Sequence, residues 1–278
     1  MSVRRILTVL LSLALLTHAL PCAAQTSPVA TSQPPSRFAG WASVIVAGDW
    51  RGHGEPIQAF DNARRDLVAG FLKAGFSRAD MYDATLRPDV AHPTTAREAL
   101  EAIGATTARA TKGCLIYFTS HGAPEGMVFG PDREINPTMM AQLIRNWCPD
   151  RPTVLVVSAC YSGIFVDGLA APNRMIITAA RRDRTSFGCG ADATYPYFDG
   201  CVIESLPTAS DFIALANSAR ACVKRREEAE DLTPGSEPQV SIGSTLQFLM
   251  PTLRFTPQAP PGGAAATVAA AASARPAG

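Results

Sequence analysis

A histidine and a cysteine stand at matching places in this sequence. The apolar run 114–119 ends in Ser120-His121-Gly122, and the run Thr153–Ser158 continues into Ala159-Cys160-Tyr161-Ser162-Gly163. A free thiol has a pKa of about 8.5 and is a poor nucleophile at neutral pH unless a base or a donor stabilises its thiolate. Imidazole exchanges protons in that range. Glycine close behind each residue lets backbone N–H groups approach a developing oxyanion. Together these residue types spell acyl transfer through a thioester. Taken singly, a cysteine ending an apolar strand is ordinarily a core thiol, and a His-Gly pair is ordinarily loop. What matters is whether the chain brings the two together.

The elements around them predict that it does. Residues 44–47, 114–119, Thr153–Ser158 and 175–178 are short apolar, β-branched-rich runs, the mark of strands buried on both faces. A shorter strand is expected at 80–83. Between them lie helical patterns: Ala59–Ala74, with Phe60, Leu67, Phe71 and Leu72 on one stripe; 95–108, opened by a Thr95/Glu98 capping box; and Pro137–Trp147. This βαβα order implies a mostly parallel sheet with helices on both faces, an α/β three-layer sandwich. Sites in such sheets form at the carboxyl ends of the strands. A right-handed crossover makes the strands ending in His121 and Cys160 neighbours or near-neighbours.

The ends of the chain read differently. Met1 to Arg5 is a basic segment, residues 6–20 are apolar, and Cys22-Ala23-Ala24 fits cleavage before Gln25. Residues 1–24 are therefore expected to be a signal peptide, 25–37 a flexible leader, 38–256 one domain and 257–278 a disordered Ala/Pro/Gly tail. The apolar stretch is shorter than the roughly 20 residues that span a bilayer, so cleavage is favoured over a retained anchor or a lipid on Cys22. No stable membrane span is expected afterwards, and the mature protein is expected to be periplasmic or secreted. Of the 278 residues 47% are hydrophobic and 18% charged, with a formal charge of +1. That is enough apolar surface for a core, and it lacks the basic footprint of a nucleic-acid binder. His53, His92 and His121 form no i, i+4 pair, so no helical zinc site or other cofactor is expected. A P-loop, a Gly-x-Ser-x-Gly elbow and a Cys-x5-Arg phosphatase motif are all absent. Ser162 is expected to shape the turn after Cys160. Lys224 to Asp231 is expected to be a solvated helix face.

The residues also carry a family resemblance. The segment Tyr117-Phe118-Thr119-Ser120-His121-Gly122, then Gly126-Met127-Val128-Phe129, then Ser158-Ala159-Cys160-Tyr161-Ser162-Gly163 resembles the legumain-type cysteine peptidases, family C13 of the caspase-like clan. Ile177-Thr178-Ala179-Ala180 with Thr185-Ser186-Phe187-Gly188-Cys189 resembles that family's specificity-pocket segment, above all in its bacterial branch. Pro238-Gln239-Val240-Ser241-Ile242-Gly243 is similar to a late strand of that branch. The resemblance implies a caspase-like fold and a peptide or protein substrate. It implies a Cys160 nucleophile with His121, and an oxyanion site at the amides of Gly122 and Cys160. The pocket it implies lies between residues 178–189, Ser186 included, and the 49–55 loop, with Ser158 near by. Arg51 precedes the first helix as the pocket arginine of caspases does, which implies cleavage after Asn or Asp.

The chain departs from the family in places. Legumains carry acidic residues just before the catalytic His and two before the Cys, where this chain has Ser120 and Ser158. The family's Asn-x-Arg-His cluster is absent from the first loop, and Asn62-Ala63-Arg64 falls inside the first predicted helix. A catalytically weak binding domain, or a transamidase like the relative that attaches lipid anchors, is the alternative. Cys114 is expected to be a core thiol; export permits disulfides, a bridge among Cys189, Cys201 and Cys222 could brace the pocket loop, and the pairing among these and Cys148 is open.

Overall fold

The structure is a computed structural model that describes residues 36–52 and 55–256. The expected signal peptide, nearly all of the leader and the tail lie outside the described residues. Ser36 and Arg37 are inside them, and the Ser36 hydroxyl donates to the Gly75 carbonyl. No helix among the described residues is long and apolar enough to cross a membrane.

Strand β1 (Trp41–Ala47) is followed by α1 (Ala59–Ala74), β2 (Met81–Thr85), α2 (Ala96–Ala108) and β3 (Gly113–Thr119). Three short strands come next: β4 (Gly122–Ala123), β5 (Gly126–Val128) and β6 (Glu134–Ile135). Then follow α3 (Pro137–Trp147), β7 (Thr153–Ser158), α4 (Phe165–Leu169), β8 (Arg174–Thr178), α5 (Tyr197–Ser205), α6 (Phe212–Ala229), β9 (Gln239–Ile242) and α7 (Ser244–Leu249). The main sheet has the order β2-β1-β3-β7-β8-β9. Every pair is parallel except β8 with β9. The expected α/β sandwich with a mostly parallel sheet is the observed fold.

Alternate side chains of each central strand enter different layers, the period-2 rule of a pleated strand. Ile45, Leu115, Tyr117, Val154, Val156 and Ile177 pack with α1, α5 and α6. Val44, Val46, Ile116, Phe118, Leu155 and Val157 pack with α2, α3 and α4. Each such side chain, removed from water, contributes about 2 kcal/mol. This is why the strands read as unbroken apolar runs. Local signals set the helix starts. Thr95 and Glu98 form the expected capping box on α2, Asn136 caps α3 with Pro137 in the first turn, and Asp211 caps α6. Helix α1 ends on Gly75 at φ 113°, a left-handed position that glycine adopts without strain.

Several boundaries moved. β1 begins at Trp41, three residues before the expected start, and β2 begins at Met81 after a 3-10 turn at Arg78–Asp80. The charged run at 224–231 is not wholly solvated. Glu227 is buried, where it accepts hydrogen bonds from the Ser236 amide (2.9 Å) and hydroxyl.

The cysteines give one correction. Cys114 is not a core thiol: it is disulfide-bonded to Cys148, at the C-terminal end of α3, across the interior between β3 and that helix. A second bridge joins Cys201 on α5 to Cys222 on α6, and Cys160 and Cys189 are the free cysteines among the described residues. Sequence separations of 34 and 21 restrict the unfolded chain enough to contribute about 3 kcal/mol each. Equilibrium unfolding of a Cys114→Ala/Cys148→Ala variant should show a stability loss of about that size. An unchanged denaturation midpoint would rule out a stabilising bridge.

Candidate active site

β3 and β7 are adjacent, and their last paired residues are Thr119 and Ser158. His121 and Cys160 each follow two residues later, so the parallel register delivers both to one edge of the sheet. The strand ends are drawn tightly together. A Cβ built on Gly122 would lie 2.2 Å from the Cys160 carbonyl oxygen and 3.0 Å from the Ala159 Cβ. Only glycine permits that approach.

Cys160 leaves β7 through a sharp turn. Tyr161 adopts φ 57°, ψ 11°, a left-handed conformation costly for a side-chain-bearing residue and held by its surroundings. Its amide donates to the Arg184 carbonyl (2.8 Å), and the buried Ser162 hydroxyl accepts from the Ala180 amide (3.1 Å). Both bonds tie the turn to the segment after β8, and Ser162 thus shapes it as expected. That segment returns over Cys160. The Ser186 amide donates to Sγ at 3.3 Å, and the Ser186 carbonyl and hydroxyl lie 3.5 Å away.

His121 is held from the other side. Its Nε2 is 2.8 Å from the Arg51 carbonyl oxygen. A carbonyl only accepts, so Nε2 carries its hydrogen and Nδ1 is left as the base of the neutral ring. The Phe60 ring meets the imidazole edge-to-face at 4.9 Å. The loop that supplies this carbonyl is itself fixed. The buried Asp49 carboxylate accepts from the amides of Trp50 (2.8 Å) and Arg51 (3.2 Å), and its two oxygens take Nε and Nη2 of Arg51 at 2.8 and 3.3 Å. The Ile57 amide closes the loop onto the Trp50 carbonyl (2.8 Å). Asp49 stood at the edge of the expected pocket loop and Phe60 on the stripe of the first helix, but sequence reasoning missed their parts in fixing Arg51 and facing His121. A Gly-Asp at the end of the first strand was the available signal.

The remaining predicted residues fall as follows. Gly122 faces Met127 at a place where the neighbouring bond is made by the Val128 amide to the His121 carbonyl (2.9 Å). Among the described residues the Cys160 amide meets no backbone acceptor. Ser158 is buried beside Thr119, its register partner, at the strand end where Asp199 bonds the Thr119 hydroxyl, and this burial gives its expected substrate-binding place no support. Ser120 is buried too, and bonds the Val128 carbonyl (2.8 Å). Arg181 pairs with Asp183 and Glu237, Arg182 with Asp167, and Arg184 with Asp183. These three are neutralised on the pocket segment. Asn62 lies on the outer side of α1, donating to the Thr194 carbonyl. Cys189, in the pocket segment, packs beside Ala47, Ile57 and Phe60, and burial first, then the nearby Cys160 and Asp199, pushes its thiol up to about 12. It stays protonated and inert at neutral pH.

Residues 104–212, the stretch that contains both His121 and Cys160, match the Peptidase C13 family. Among solved structures, the crystal structure of caspase-1 from Spodoptera frugiperda is similar at 15% identity. That match covers 75% of this chain and 87% of that one, with a TM-score of 0.53. The likeness is one of fold, and it agrees with the mostly parallel six-stranded sheet. No curated protein matches the chain.

Proposed function

We propose that this chain, which matches the Peptidase C13 family over residues 104–212, is an exported cysteine endopeptidase that works through a Cys160/His121 dyad. The observation that carries the reading is the 2.8 Å contact of His121 Nε2 with the Arg51 carbonyl. It fixes the tautomer whose Nδ1 is free to take a proton, on the strand next to the one that delivers Cys160.

The chemistry follows from those parts. His121 Nδ1 takes the thiol proton, and the Cys160 sulfur attacks the scissile carbonyl carbon to form a C–S bond. The carbonyl oxygen becomes an oxyanion held by the amides of Gly122 and Cys160. The imidazolium returns its proton to the leaving amine, the C–N bond breaks, and a thioester remains. Water then attacks that thioester with His121 as base, which frees the carboxylate product and the thiol. The hydrogen bond to the Arg51 carbonyl stabilises the imidazolium in each half-reaction, the part a carboxylate takes in serine peptidases.

Export rests on the expected signal peptide at 1–24, and two disulfides support an oxidising compartment, periplasmic or extracellular. The domain is taken as 38–256, with a cleaved signal, a leader and a tail around it. Residues 177–180 and 185–189 support the bacterial branch of the legumain-type peptidases.

The Asp49–Arg51 pair bears on specificity. Arg51 is half-exposed while its partner Asp49 is buried. A guanidinium already forked on a carboxylate has lost most of its attraction for a second one, but its remaining N–H groups still bond a neutral amide oxygen. Cleavage is therefore expected after Asn in preference to Asp. A peptide-library profile should show Asn before the cut, with that preference reduced about tenfold in Arg51→Ala. A profile dominated by Lys, Arg or a large apolar residue overturns this assignment, as does an Arg51→Ala profile identical to the wild type.

A further inference from the structure

Beneath the dyad lies a buried acid that the sequence did not announce. Asp199, on α5, is fully buried. Its Oδ1 accepts the Tyr117 hydroxyl at 2.6 Å, and its Oδ2 accepts the Thr119 hydroxyl at 2.5 Å. Ser158, the register partner of Thr119, is buried beside it in the sheet, and its hydroxyl is among the groups that lower this acid's pKa. Thr119 stands two residues before His121, and Ser158 two before Cys160. One carboxylate from a helix far along the chain thus holds the end of the strand that carries His121, beside the end of the strand that carries Cys160. We propose that Asp199 is a positioning residue that, as a carboxylate, sets the separation of His121 and Cys160 and with it the reactivity of the thiol. This inference rests on the peptidase reading.

Its charge state is what makes the clasp more than packing. A carboxylate is acceptor-only, so the Tyr117 and Thr119 hydroxyls both donate to it. Once protonated it must itself donate, and one hydroxyl has to turn away or lose its partner, which loosens one strand end. Burial pushes this acid up to about 6, against the three hydroxyls that lower it. The titratable and charged groups facing it are few. Tyr117 on β3 is held well above its usual range by burial and by Asp199, and the Cys189 thiol stays protonated. From α6, Arg226 stands against Gly200, the next residue of α5, and is paired with Glu204 at 2.9 Å. From the α1 side, Asp66 is bonded by the Tyr195 hydroxyl. None of these replaces the carboxylate at the end of the His121 strand.

The sign of the linkage separates this role from a structural one. The native acid titrates near 6 against an ordinary 3.8, so between those values the folded protein binds the extra proton. Its contribution to stability is fullest below about 3.8 and is lost as pH rises through 6. The fold thus favours the neutral acid, whereas the proposed clasp needs the ion. An isosteric neutral side chain should keep or raise stability at pH 7.5 while slowing the thiol.

The experiment is site-resolved alkylation of Cys160 by iodoacetamide between pH 5 and 8, on the full mature chain, with mass mapping to separate Cys189. Thermal unfolding at pH 7.5 is measured alongside. The wild-type rate should show a step near pH 6 that Asp199→Asn lacks. At pH 7.5 the variant should label roughly tenfold more slowly with an undiminished Tm. Thr119→Val, which removes one arm of the clasp, should slow labelling in the same direction. An Asp199→Asn rate and pH profile equal to the wild type overturns the inference, and so does a rate loss that comes with a lowered Tm. Wild-type Cys160 labelling no faster than a free thiol would instead count against the peptidase reading.

Discussion

Cys160→Ala should lower peptide turnover by several orders of magnitude while leaving the Tm close to the wild type. The residue is half-buried just after β7, and among the described residues its sulfur's hydrogen-bond partners are the Ser186 amide, carbonyl and hydroxyl. Little packing is lost with it. Without sulfur there is no thioester, and water must attack the peptide bond directly, so only binding and the oxyanion amides remain to help. Hydrolysis of the best library peptide by wild type and variant, at equal concentration, checks this. Near-normal turnover by Cys160→Ala would remove Cys160 from the mechanism.

Gly122→Ala should be nearly as damaging, for a geometric reason. The added Cβ would sit 2.2 Å from the Cys160 carbonyl oxygen, a contact with backbone that no rotamer can relieve. The strand ends must part, moving His121 and both proposed oxyanion amides relative to the thiol. Displacements of about 1 Å in such an array cost about 100-fold in rate, and the overpacking adds about 1–3 kcal/mol of destabilisation. The expected result is a loss of at least about 100-fold in kcat/KM with a folded, modestly destabilised protein. A variant that turns over like the wild type would mean that the close approach has no part in the chemistry.

How much of this was legible in the sequence depended on range. Strands β1, β3, β7 and β8 were visible because burial on both faces makes them continuous apolar runs. Helices α1 to α3 were visible because caps and stripes are local. The arrival of His121 and Cys160 at one sheet edge followed from strand order alone. What was missed depends on contacts between residues distant in sequence. Asp199 bonds Tyr117 and Thr119 some 80 positions away, and nothing near it in the sequence marks it as more than a surface acid. Helix α5 carries both apolar and buried polar residues and gives little periodic signal. Cys114 was read as a core thiol because its strand is apolar, and the partner that changes this comes from the end of α3. The held tautomer of His121 depends on a backbone carbonyl, which has no signature in residue types.

The absent acidic residues of the family pattern have a physical counterpart in the same place. Ser120 and Ser158 are both buried; the Ser120 hydroxyl bonds the Val128 carbonyl, and Ser158 lies beside Thr119, whose hydroxyl Asp199 accepts. Where the family places charge beside the dyad, this chain places hydroxyls and one deeper carboxylate.

The central claim is that His121 activates Cys160, and the alkylation rate of Cys160 at pH 6.5 in the wild type and in His121→Ala tests it most directly. A free thiol, with a pKa of about 8.5, is only about one-hundredth thiolate at that pH. The account predicts that wild-type Cys160 labels faster than a free thiol and that His121→Ala abolishes the advantage. Equal rates for the two proteins, both matching a free thiol, would contradict it.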